Sequence, residues 1–105
     1  MAWMLECRAM SHNYAREQLS KAVYELAAKD GTIQERLIRA VGPYLLFAPG
    51  FEDKNDPIRE RLIEILRAVG GIANYEKTIR GMSASELERI VDKILAVHDD
   101  LIAGS

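Results

Sequence analysis

The stretch from Ser83 to Ile102 constrains this chain more than any other, because two apolar rows run along it side by side. Leu87, Ile90, Ile94, Val97 and Leu101 recur at three-and-four spacing and make one seam, while Val91, Leu95, His98 and Ile102 make a second beside it. Ser83 and Glu86 fit a capping box, and Met82 and Leu87 occupy the positions of a hydrophobic staple. The spacing predicts a helix of roughly 30 Å, at 1.5 Å per residue. Only Glu88, Arg89, Asp92, Lys93, Ala96, Asp99 and Asp100 remain to face water. A surface helix normally buries one stripe. An arc this wide needs cover from more than one neighbour.

Three further segments supply that cover. The first is expected from about Ser11 to Lys29, with Ala15, Leu19, Ala22, Val23 and Leu26 on one face and Gly31 closing it in the left-handed conformation. The second starts at Thr32, whose partner in a capping box is Glu35, and buries Ile33, Leu37, Val41, Tyr44 and Leu45. Pro43 has no N–H to give the carbonyl of Arg39, so this helix is expected to kink or break near Gly42-Pro43. Asp56 as cap and Pro57 at the first helical position open the third, which turns Ile58, Leu62, Ile65, Leu66 and Val69 inward and stops at Gly70-Gly71. Ile72, Tyr75 and Ile79 leave room for a short fifth helix around 72–80. No strand-like alternation occurs. The fold class is all-α: a small bundle of four main helices with a short fifth, the second kinked or broken at Pro43.

With 105 residues, 49% of them apolar and 29% charged, the chain reads as one globular domain over 1–105. Within it, 1–10 reads as an N-terminal extension that frays, and 104–105 as a scar of cloning. Cys7 is the single cysteine, so no internal disulfide is possible and a reducing cytoplasm is the natural compartment. No segment approaches the roughly 20 apolar residues of a bilayer span, so a membrane role is not expected.

Chemistry is thinly represented. His12 and His98 are the only histidines and fall on different helices. His98, Asp99 and Asp100 are adjacent in sequence but about 100° apart around a helix, so they do not converge on one ion. Asp53-Lys54-Asn55-Asp56 starts like a calcium loop, but Pro57 and Ile58 occupy positions such a loop gives to a ligand and to glycine. No glycine-rich phosphate loop and no nucleophile with base and orienting acid is present. The expectation is a protein without cofactor, metal or catalytic residues, and not an enzyme.

The excess of apolar surface suggests another role. Tyr44-Leu45-Leu46-Phe47 are consecutive and would point to all sides of a helix, and the second seam of the last helix adds to them. Left open, such residues form the kind of patch that marks an interaction site. Tyr44, Leu46, Phe47, Val91, Leu95 and Ile102 are therefore the candidate interface residues of a regulatory or adaptor module that binds an unidentified protein partner and forms a two-fold homodimer. Leu46→Asp or Phe47→Asp is expected to give a soluble monomer if the patch is an interface, and an unfolded chain if it is core.

The alternative is a nucleic-acid-binding regulator. Residues 20–41 join two helices through a glycine turn, as helix-turn-helix units do, and Gln34, Arg36 and Arg39 would then sit where side chains read base edges. Against it stand Asp30 at a turn position that is normally apolar, Glu35 facing phosphates, and a net charge of -2. Nucleic acid is not the favoured partner.

Overall fold

Cap chemistry sets most of the element boundaries. The computed structural model describes residues 2–28, 30–46, 48–51 and 56–103, with side chains from residue 14 onward except that of Phe51. Five α-helices run in chain order: α1 Ala2–Ala27, α2 Ile33–Ala40, α3 Pro57–Ala68, α4 Gly71–Arg80 and α5 Ala84–Ala103. Between α2 and α3 lie a π turn at Val41–Leu45 and a 3-10 turn at Ala48–Phe51. No strand occurs among the described residues. The all-helical bundle is what the apolar spacing implies.

The starts follow the sequence signals. Thr32 Oγ1 accepts from the backbone N–H of Glu35 at 3.1 Å, and Asp56 Oδ1 accepts from that of Ile58 at 2.9 Å. Ser83 and Glu86 close a reciprocal box: Glu86 N–H donates to Ser83 Oγ and Ser83 N–H donates to Glu86 Oε1, both at 3.3 Å. Gly31 and Gly70 take φ of +85° and +91°, the left-handed region that lets the chain reverse directly after a helix.

One boundary differs from expectation. α1 begins at Ala2 rather than near Ser11 and ends at Ala27. The fifth element is a full helix of 10 residues, begun by a left-handed Gly70 with no side-chain cap. As the proline implies, α2 breaks before Pro43: it ends at Ala40 and the chain does not run on as an α-helix. It widens into a π turn in which Leu46 N–H donates to Val41 C=O at 3.1 Å. The extra residue lets a wider hydrogen bond close over Pro43, which has no N–H of its own to give.

Every element contributes to one core. Leu19 of α1, Leu37 of α2, Leu45 of the π turn, Leu62 and Ile65 of α3, Ile79 of α4 and Ile94 of α5 are all fully buried. Fully burying each such side chain favours folding by roughly 1.5–3 kcal/mol. Gly42 allows α4 to approach the π turn: a Cβ there would lie 2.6 Å from the Tyr75 hydroxyl oxygen. On the far side of α5, Lys93 Nζ pairs with Glu64 Oε1 at 2.7 Å and Arg61 pairs with Asp100, which tie α3 to α5.

Candidate protein interface

The two seams of α5 meet different surroundings. Leu87, Ile90, Ile94, Val97 and Leu101 are all buried. In the second seam Val91 is half-buried against the core, whereas Leu95 and Ile102 remain 36% and 52% exposed. A shallow groove of about 360 Å³ lies at the start of this row, lined by Ile33, Gln34, Ala84, Leu87, Glu88 and Val91.

A hydrogen bond fixes the height of α1 against α5: Ser20 Oγ and His98 Nε2 are 3.1 Å apart. The His98 side chain is only 15% exposed, and its Nδ1 lies 4.0 Å from Asp99 Oδ1. The ends of α1 and α5 set the relative direction. Ile33, six residues past the end of α1, lines a groove with Ala84 at the beginning of α5. The two helices are thus antiparallel, so Tyr24, one turn after Ser20, stands level with Leu95, one turn before His98. Tyr24 is 76% exposed. A trough along the outer side of α1 is lined by Arg16, Glu17, Ser20, Lys21 and Tyr24. Within it Lys21 Nζ pairs with Glu17 Oε1 at 3.2 Å, and the Arg16 Nε is buried without a hydrogen-bond partner among the described residues.

Of the residues that the sequence singles out as interface candidates, Leu95 and Ile102 project outward and Val91 stands at their inner edge. Tyr44 and Leu46 are half-buried and pack on the core, so aspartate at Leu46 would disturb folding as well as any contact. Phe47 lies outside the described residues. Tyr24 was not legible as part of an apolar stripe, although its position, two residues from both Ala22 and Leu26, already puts it on the outer side of α1.

The arginines of the helix-turn-helix reading have other partners. Arg36 Nη1 donates to the carbonyls of Leu26 and Ala28 at 3.2 and 3.1 Å, satisfying the end of α1. Arg39 Nε donates to Glu25 Oε2 at 3.1 Å, and its Nη2 to the Asp30 carbonyl at 2.7 Å. Both guanidinium groups would have to leave these acceptors to reach a base edge. Gln34 sits in the groove beside Ala84 and Leu87 rather than on a basic surface.

Among the described residues, no three or more His, Cys, Asp or Glu side chains are grouped so that they could hold a metal ion. No helix there is long and apolar enough to cross a membrane. His12, Cys7 and the loop residues Asp53, Lys54 and Asn55 have no described side chains. At Glu64 the hydrogen bond from Lys93, and then its positive charge, hold the carboxyl below the usual glutamate value. That pair is on the α3 side, away from the open row. No protein-family model matches the chain, and neither a curated protein nor a solved structure matches it.

Proposed function

We propose that the protein works by binding protein, as a regulatory or adaptor module whose first partner is a second copy of itself across the outer face of α1 and α5. The observation that carries this reading is the outer row of α5: Leu95 and Ile102, with Tyr24 level on α1, stay open to solvent while the neighbouring seam is enclosed. By the Ser20–His98 level the two helices run side by side over residues 15–27 and about 91–103, a face about 20 Å long and two helices of roughly 10 Å across, or a flat footprint of roughly 400 Å². A stable interface needs about 800 Å² of accessible surface per partner, so this stretch would supply roughly half of one. Two-fold dimers are the commonest assembly of soluble chains, and a lone cysteine fits a reducing cytoplasm.

The test is the mass in solution across a concentration series, by light scattering coupled to size exclusion. The parent chain is expected to be a dimer at tens of micromolar. Leu95→Asp and Ile102→Asp are each expected to give helical, soluble monomers, since both side chains are exposed in the protomer and an aspartate buried at the contact would lack a partner. A parent chain that stays monomeric at every concentration would overturn the reading.

A further inference from the structure

We infer that in the dimer α1 of one copy lies on α5 of the other, with the two-fold axis parallel to the helices and between them. This inference rests on the dimer reading above and goes further by fixing the arrangement. A face made of two antiparallel helices can meet its copy in two simple ways. If the axis runs across the helices, α5 meets α5 of the partner in antiparallel fashion. If it runs along them, α1 meets α5 of the partner and the reverse.

Charge decides between them. The outward side of α5 is acidic: Glu88, Asp92 and Asp99 are exposed there, with Arg89 as the one base in the row. Asp100 is already paired with Arg61 and Lys93 with Glu64. Antiparallel pairing of α5 with its copy about the Leu95–His98 region would bring Asp92 against Asp99 of the partner twice over, and like charges opposed in this way are unfavourable. The outward side of α1 instead offers Lys21, already paired with Glu17, and Arg16, which leaves one positive charge there. The Ser20–His98 hydrogen bond sets the level. With the axis along the helices, Tyr24 of one copy stands over Leu95 of the other, and Arg16 and Lys21 stand within a turn of Asp99.

The two arrangements give opposite signs to one substitution. Asp99, whose side chain is 81% exposed, tolerates Asp99→Lys in the protomer. With α1 on α5 of the partner, the new lysine faces Arg16 and Lys21, and the dimer dissociation constant, read by sedimentation equilibrium at low salt, should rise about three- to ten-fold. With α5 on α5, the lysine would face Asp92 of the partner and the dimer should tighten, which overturns the arrangement while leaving the dimer standing. Cross-linking gives a second readout in a Cys7→Ala background. Chains carrying Tyr24→Cys mixed with chains carrying Leu95→Cys should form a disulfide-linked pair of one each, and Leu95→Cys alone should not link to itself. Self-linking of Leu95→Cys chains overturns the inferred arrangement, and a parent chain that is monomeric throughout overturns the dimer with it.

Discussion

The inner and outer rows of α5 share a helix, a spacing and a set of residue types, yet only one is enclosed. Ile94 is fully buried and its immediate neighbour Leu95 is 36% exposed, although α1 reaches the outer row at His98 through Ser20. Periodicity therefore reports which residues share a row, while cover depends on what the rest of the chain places beside that row. The closed side also spends its polar groups internally, through the arginines at the end of α1 and the α3–α5 ion pairs. On the open side, Glu88 and Asp92 have no ion pair among the described residues, and Asp99 has only the His98 ring at 4.0 Å.

The largest test of this contrast substitutes adjacent residues of α5. Ile94→Ala should lower the unfolding free energy by about 2–5 kcal/mol, from lost burial and the cavity left in the core. Leu95→Ala, measured by urea denaturation at a concentration where the chain is monomeric, should change it by no more than about 0.5 kcal/mol. Equal effects at the two positions would erase the distinction between the rows.

A smaller effect probes how tight the closed side is. Gly42→Ala places a methyl 2.6 Å from the Tyr75 hydroxyl oxygen and 3.1 Å from its ring carbon, so α4 has to shift away from the π turn. The expected loss is about 1–3 kcal/mol of overpacking. Combining it with Tyr75→Phe should recover part of the loss, because that removes the nearer of the two clashes. A neutral Gly42→Ala would show that α4 is loosely docked.

The smallest effect is at the exposed Lys93–Glu64 pair. The Glu64 carboxyl titrates below its unfolded value because Lys93 bonds and attracts its charged form. What the pair adds to stability is accordingly complete above the unfolded carboxyl pKa and disappears as pH falls through the folded one. In Lys93→Met, the Glu64 resonance followed by NMR should titrate back in the ordinary glutamate range, with little change in melting temperature because both groups are solvent-screened. An unchanged titration would remove Lys93 as its cause.

Much of the fold was legible because its signals are local. Thr32, Asp56-Pro57 and Ser83 with Glu86 mark helix starts through bonds to backbone donors within three residues, so sequence order alone reveals them. The complete α4 was harder to read, since Gly70 starts it by backbone conformation and no side chain announces the boundary. The roles of Arg36 and Arg39 could not be read at all, because their acceptors lie eight to fourteen residues away and are brought close only when α1 and α2 fold against each other. The open face was half legible: the row of Leu95 and Ile102 follows from spacing, whereas the level match with Tyr24 depends on the Ser20–His98 bond between distant segments.

The widened turn at Val41–Leu45 has a consequence for how this chain tolerates change in length. A π turn holds one residue more than the α-turn it replaces, which rotates everything downstream by about 100° relative to an unbroken helix. Within the turn Leu45 lies in the core and Leu46 at its edge. Removing a single residue from the turn would swing the side chains that follow by about 100° and change which of them meets the centre. In a molecule with so many neighbouring aliphatics, the surplus residue acts as the indexing notch that selects which of them the interior receives.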